Sequence, residues 1–389
     1  MSELPLYKSK YFIHVIVLIA FAIRAISYFY FSKEILPDSL EYLQSGRELW
    51  ANGKTGANDM MPLYPLFISL SDYLFGWPLL DVVISSLTVY FVYGIADEIG
   101  KNHSISLLAG VLYAIWPMSI FYSGAILTES LFVFLFLGGF YAAYHKRLLW
   151  CCIFWVLSIL TRPVFDLLYP ILIVVFFYEE GWVKSLKSLA IYFFAFVIML
   201  TLWWIHNYQK YGSFVKLNLG LGYVLYEGNH LQNHDGGPAP FSGKEPYDAS
   251  ETNPIKIDQK LKSAAVEIIK NDPIRFLKMT WKKFLRLWNP FPNHESYKEL
   301  FTALAVGIPA LFIYAGALFF MVKVNRKTWI LILPIILCVL YLTAVHMVTV
   351  ASIRYRYPVE PLLLILACIG VGGVVKEKYF NHKSVLKPN

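Results

Sequence analysis

Charge is scarce in this chain. Asp, Glu, Lys and Arg make up only 15% of its 389 residues, against 57% hydrophobic ones, where an ordinary soluble domain carries about 25% charged residues. That deficit excludes a soluble domain of ordinary composition and leaves a polytopic membrane protein. Cysteine is scarce too. Cys151, Cys152, Cys338 and Cys368 all fall within apolar runs or at their ends, which argues against a disulfide scaffold and a cysteine metal site. There is no internal repeat, heptad run or low-complexity tract. No soluble segment of domain size carries a basic cluster interleaved with aromatics, so nucleic acid is not an expected partner. A single integrated membrane domain over 1–389 is expected.

What the chain has in abundance is apolar runs. Crossing about 30 Å of hydrocarbon takes about 20 helical residues, and runs of that kind lie near 11–31, 79–96, 104–122, 126–144, 148–160, 167–178, 188–206, 300–322, 328–349 and 357–375. The expected fold class is therefore all-α, with about ten transmembrane helices. The first run is too long for a signal-peptide core and reaches Phe31-Ser32-Lys33-Glu34 without a small-residue cleavage site, so it is expected to be retained. Basic residues near a span resist translocation. Lys8, Lys10, Lys101, Lys146, Arg147, Lys184, Lys187, Lys323, Arg326, Lys327, Lys376, Lys378 and Lys383 all fall on one side of this arrangement. Both termini are thus expected in the cytoplasm, with the chain in the inner (plasma) membrane, and the net charge of +8 is mostly a signal of orientation.

Two segments escape the membrane pattern, 32–78 and 207–299, and both are expected outside the cytoplasm. In the first, a helix is predicted from Ser39 to Trp50, opened by Asp38-Ser39 as caps and closed by Asn52-Gly53. The apolar piece Met61 to Ile68 after it is too short to span and is expected at the interface. The second opens with a Gly- and Asn-rich loop from Gly220 to Pro238, where turn residues dominate. Amphipathic helices follow at Ile257 to Lys270 and Ile274 to Trp288. The latter mixes Phe276, Leu277, Trp281, Phe284 and Leu285 with Lys278, Lys282, Lys283 and Arg286, as suits a helix in a headgroup layer. A packed connector helix is the alternative.

Four positions share one expected boundary of different spans: Asp38, Glu129, Arg162, and the pair Arg354 and Arg356. An ionised group at mid-bilayer costs about 2.5–3.5 kcal/mol on insertion scales, so charges here should face a cavity or one another. Simpler roles remain open. Glu129 and Arg162 would make a packing pair, Asp38 a helix cap, and Arg354 and Arg356 anchors at headgroup phosphate.

The strings Pro37-Asp38-Ser39-Leu40-Glu41-Tyr42, Pro62-Leu63-Tyr64-Pro65-Leu66-Phe67, Leu127-Thr128-Glu129-Ser130, Thr161-Arg162-Pro163, Trp203-Trp204-Ile205-His206-Asn207-Tyr208, Gly212-Ser213-Phe214-Val215, Gly228-Asn229 and Arg354-Tyr355-Arg356-Tyr357-Pro358-Val359-Glu360-Pro361 occur in this order. Together they resemble the GT-C membrane glycosyltransferases, in particular the bacterial branch related to protein O-mannosyltransferases and the lipid A aminoarabinose transferase. The resemblance covers about residues 24–361. It implies a GT-C-like fold and transfer of a sugar from a polyprenyl-phosphate-linked donor to a lipid, glycan or protein acceptor at the outer face, with inversion. It implies Asp38 as catalytic base, and Arg354, Arg356 and Arg162 on the donor phosphate. Glu129 stands where the family often carries a second acid for acceptor or sugar, with Glu41 a further acid nearby. Tyr42, Tyr64, Asn207, Tyr223 and Asn229 are candidate sugar or acceptor contacts, boundary packing being the alternative for the tyrosines.

Two departures limit the resemblance. His206 stands where relatives more often have arginine, and Ser39 follows Asp38 where some mannosyltransferases have a second acid, so mannose is not implied. The chemistry is consistent in itself. A carboxylate takes the proton of an acceptor hydroxyl, and a phosphate leaves without a proton donor if cations stabilise it. A glycosidase would instead want two carboxylates flanking the bond. No cofactor is obligate, although the proximity of His230, His234 and Asp235 leaves a divalent metal open. A flippase or transporter of lipid-linked sugars and an outer-face glycan polymerase or ligase are the competing readings. Against transport, neither repeated halves nor broken helices are legible in the sequence.

Overall fold

The computed structural model describes residues 11–31, 36–53, 60–238, 245–248 and 250–385. The cleavage-site argument at Ser32-Lys33-Glu34 and the orientation signals at Lys8 and Lys10 lie outside them, as do the side chains of Lys376, Lys378 and Lys383. Among the described residues all regular structure is helical. Six helices are long and apolar enough to cross a membrane, or seven if one bent pair counts as a single span. The expectation of ten is thus met only in its coarser form.

The elements run in chain order as α1 (Phe12–Phe31), α2 (Pro37–Asn52), α3 (Leu63–Phe75), α4 (Leu79–Gly100), α5 (His103–Ala114), α6 (Pro117–Gly124), α7 (Glu129–Tyr144), α8 (Leu148–Thr161) and α9 (Tyr169–Phe177). There follow α10 (Trp182–Tyr211), α11 (Leu221–Asn229), α12 (Pro254–Asn271), α13 (Pro273–Leu287), α14 (Leu300–Lys323), α15 (Arg326–Val348), α16 (Ile353–Arg356) and α17 (Glu360–Val385). The six long apolar spans are α1, α4, α10, α14, α15 and the α16–α17 stretch.

The missing spans have local causes. The predicted span 104–122 is broken into α5 and α6, bent by 48°. Pro117 has no N–H to give and forces Trp116 into extended backbone, φ −66° and ψ 120°. Arg24 of α1, fully buried, serves that break. Its Nη1 donates to the Ala114 carbonyl at 3.0 Å and its Nη2 to that of Tyr113 at 3.3 Å, with Ser119 also bonded to Nη2. At α8 the helix stops when Arg162 turns extended ahead of Pro163, φ −149° and ψ 119°. That leaves α8 with 14 residues and α9 with nine, while α7, closed before the left-handed Lys146, has 16. They are tied together closely: a Cβ on Gly139 of α7 would lie 2.2 Å from the Trp155 ring of α8, and Trp155 stacks on Tyr169 at 4.9 Å. Almost all of α7 is buried in protein.

The first non-spanning segment is built from α2 and α3, packed on each other. Gly53 ends α2 in left-handed backbone, φ 64°, as predicted. The start differs. Leu36 occupies the cap position and Asp38 lies inside the first turn behind Pro37, so it is not the cap, and its carboxylate is available to other partners. The apolar piece at Met61 to Ile68 becomes the start of α3, with Tyr64, Pro65 and Ile68 buried.

In the second segment the glycine-rich stretch folds in part as α11, which its turn residues concealed. Asp258 of α12 accepts from the backbone N–H of Gly220 at 3.0 Å and of Gly222 at 2.8 Å. Contact is so close that a Cβ on Gly222 would lie 2.0 Å from the Asp258 carbonyl. The helices α12 and α13 form where predicted, capped by Asn253 and Asp272.

Candidate functional site

Asp38, Glu129, Arg162 and Arg354 meet in one ion network. Each stands at a helix boundary: the first turn of α2, the first residue of α7, the break after α8, and the short turn α16. Arg354 Nη1 donates to Asp38 Oδ2 at 2.8 Å. The same guanidinium grips Glu129, Nε bonding Oε1 and Nη2 bonding Oε2. Arg162 Nη1 donates to Glu129 Oε1 at 2.7 Å. Two carboxylates and two guanidinia sum to no net charge. Glu129 has no side-chain exposure, Asp38 is 50% exposed, and the arginines 26% and 20%. The buried acid is tolerable because two charge-assisted partners hold it, while the exposed acid has one.

The scaffold around the network is specific. Ser39 Oγ donates to the Ala125 carbonyl at 2.9 Å, tying the first turn of α2 to the approach to α7. Arg162 lies over the Tyr355 ring at 5.7 Å, and the other partner of that ring is His346, stacked at 4.5 Å. Ser352 caps the turn that carries Arg354. The approach to that turn is clamped from α13. Lys283 Nζ donates to the Val348 carbonyl at 3.1 Å and to Asn229 Oδ1 at 3.0 Å, and Arg286 Nε donates to the Ala351 carbonyl at 3.1 Å. Lys283 is fully buried. Burial, with Arg275 nearby, pushes its ammonium down to about 7.

Arg356 is placed otherwise than the resemblance implies. Its side chain is fully buried. Nε donates to Glu360 Oε1 at 2.8 Å, and Nη1 serves the carbonyls of Leu287 and Asn289. Trp116 Nε1 completes the cluster by donating to Glu360 Oε2 at 2.9 Å. Only Nη2 of Arg356 lacks a hydrogen-bond partner, and it is sealed from solvent. Arg356 thus fastens α17 to the end of α13 and is not a third cation of the open network.

The other candidates divide. Tyr42 packs edge-on against Tyr64, centroids 5.0 Å apart. The charged four lie close enough to Tyr42 to act on its hydroxyl, whose pKa burial raises. Tyr64 donates to Asp81 Oδ2 at 2.8 Å, and both are fully buried. Glu41, on the turn after Asp38, is exposed, and Tyr223 on α11 is 46% exposed. Asn207 spends its amide on the carbonyls of Val215 and Leu217, and Asn229 on those of Leu225 and Val348. Both asparagines hold backbone in place. His206 stacks on Trp203 at 4.8 Å, and its Nδ1 meets the Gly53 carbonyl at the end of α2.

The suggested metal trio does not converge. Asp235 pairs with Arg286 at 2.5 Å, and His230 stacks on Tyr226. Among the described residues no group of three or more His, Cys, Asp or Glu side chains could hold a metal ion.

Sequence reading missed Asp81 and Arg24. The signal was present: each is an ionisable residue inside or at the edge of an apolar run, where burial demands a partner. In comparison with known proteins, no family model matches the chain and no curated protein matches it.

Proposed function

We propose that the protein is an inverting glycosyltransferase of the inner (plasma) membrane. It moves a sugar from a polyprenyl-phosphate carrier to an acceptor hydroxyl on a lipid, glycan or protein at the outer face. One observation carries the reading. A half-exposed carboxylate fit to accept a proton, Asp38, stands 2.8 Å from a guanidinium fit to hold a phosphate, Arg354.

The acceptor oxygen attacks the anomeric carbon from the face opposite the phosphate. Its O–H proton passes to Asp38 as the new C–O bond forms, and the electron pair of the breaking C–O bond goes to the phosphate. Arg354, with Arg162 behind it, stabilises the charge that develops there. Glu129 sets the spacing of the two arginines. No proton donor to the leaving group is needed, because a phosphate is already weakly basic.

Orientation is supported by the basic turns. Lys146 and Arg147 join α7 to α8, at the ends away from Glu129 and Arg162, and Arg326 and Lys327 open α15, at the end away from the Arg354 turn. Retention of positive residues inside favours a network facing outside and both termini in the cytoplasm. On this reading α7, α8 and the stretch 163–180 that contains α9 add crossings to the long spans. A helix sheathed in protein, as α7 is, does not need the length that a lipid-facing one needs.

The test separates binding from turnover. Asp38→Asn should abolish sugar transfer while retaining binding of polyprenyl monophosphate. Retained turnover in Asp38→Asn would sink the reading.

A further inference from the structure

The network is electrically closed before any substrate arrives. Both guanidinia are matched by carboxylates, so an incoming phosphate meets no spare positive charge, and full ion pairing to Arg354, whose three nitrogens are engaged, requires one of its two acids to give way. The two acids differ. Glu129 is completely buried and held by Arg162 and Arg354 together. Releasing it would strand a carboxylate in a dry site, which is strongly unfavourable. Asp38 is half-exposed, held by Arg354 through Nη1, and loses little on returning to water.

We propose that Asp38 is a displaceable occupant of the phosphate-binding guanidinium, so that donor phosphate and proton-accepting carboxylate exchange places on Arg354 and the substrates bind in order, donor first. This rests on the transferase reading and adds to it a gate. Before the donor arrives, Asp38 is engaged by Arg354. When the phosphate takes Nη1, the carboxylate is released toward the acceptor side with its oxygens free to accept a proton. Glu129 holds Nε and Nη2 throughout and keeps the guanidinium in place during the exchange.

The charges balance across the cycle. The acceptor proton moves to Asp38, making it neutral, as the phosphodiester monoanion becomes a phosphate monoester dianion. A neutral Asp38 no longer competes for Arg354, so the carrier is held until that proton is lost. Loss of the proton restores the competitor and expels the product.

The experiment is equilibrium binding of polyprenyl monophosphate and, separately, of inorganic phosphate to the full-length protein in detergent. Wild type is compared with Asp38→Asn, Asp38→Glu and Arg354→Gln. A partly exposed ion pair contributes up to about 1 kcal/mol, so removing the competitor should tighten binding by about fivefold in Asp38→Asn. Asp38→Glu keeps the charge and should stay within about twofold of wild type by the same reasoning. Arg354→Gln should lose binding. A gain with the polyprenyl compound alone keeps the exchange and assigns selectivity to the chain. If Asp38→Asn does not elute as folded protein, Asp38→Ser takes its place.

Unchanged or weaker binding in folded Asp38→Asn, or in Asp38→Ser where that replaces it, overturns the exchange. The two proposals fail separately. Loss of transfer in Asp38→Asn with unchanged affinity removes the gate and leaves the transferase. Tighter binding beside a wild type that never transfers sugar does the reverse.

Discussion

Glu129 and Arg354 are joined by two hydrogen bonds along one edge, a fully buried carboxylate against a guanidinium whose remaining nitrogen reaches Asp38. This contact links α7 to the turn before α17, more than 200 residues apart in sequence, and it orients the group on which the proposed chemistry depends.

Removing Glu129 should therefore be costly in itself. Breaking a buried ion pair by deleting one partner costs about 3–5 kcal/mol, here by leaving two guanidinia facing each other. Glu129→Ala should lower the unfolding midpoint markedly and Arg162→Ala less so. The double variant should show a coupling of about 1–3 kcal/mol, measured by denaturation in detergent. Additive effects would contradict the shared network.

The two arginines of the Arg354-Tyr355-Arg356 string should behave differently. Arg356→Ala strands Glu360 and frees the end of α13, so stability and turnover should fall together. Arg354→Ala leaves Glu129 paired with Arg162 and should cost carrier affinity with a smaller loss of stability. Thermal midpoints read beside binding constants check this, and the reverse pattern would contradict it.

Lys283 makes stability depend on pH with a definite sign. Its folded pKa, about 7, lies below the ordinary 10.5 of an unfolded chain, so protonating it opposes folding. The penalty is fully present below about pH 7 and is relieved as pH rises toward 10.5. Stability should climb across that window in the wild type. In Lys283→Met the climb should flatten. An equal slope in both proteins would exclude Lys283 as the cause.

The outer stripe of α13 exposes Ile274, Leu277, Trp281 and Leu285 beside Lys278 and Lys282, while Met279, Lys283 and Leu287 face inward. The helix is packed on its inner side, as the connector alternative expects, and the headgroup-layer expectation concerns the mixed apolar and basic stripe on its outer side. The native cysteines are buried, so a spin label at Leu277→Cys will report on that position. Collisions with oxygen should dominate there, and collisions with an aqueous relaxation agent should dominate at Lys256→Cys on α12. Aqueous collisions at 277 would contradict a lipid-facing stripe.

Much of this was legible in the sequence. The long apolar runs gave α1, α4, α10, α14 and α15, because length and hydropathy suffice for a helix facing lipid. Asp38, Glu129, Arg162 and Arg354 were legible as a group because topology alone brings their helix ends together. The rest depends on contacts that no local pattern carries. The break at Trp116-Pro117 is stabilised by Arg24, from a different helix. Arg356 and Arg354 are two residues apart and look equivalent as text, but the turn of α16 points one into the core and the other into the network. The helix α11 hid behind Gly222 and Gly228, which serve close packing against the carbonyls of Asp258 and Thr349 instead of turns.

The most direct measurement is release of free polyprenyl phosphate from a radiolabelled polyprenyl-phosphate sugar by the purified wild type, with and without an envelope extract as acceptor source, beside Asp38→Asn. The account predicts release that requires both the extract and Asp38, with the label moving into an acceptor fraction. A wild type that binds the lipid but never cleaves it, while a control transferase is active on the same extract, would contradict the account and favour a carrier of lipid-linked sugars.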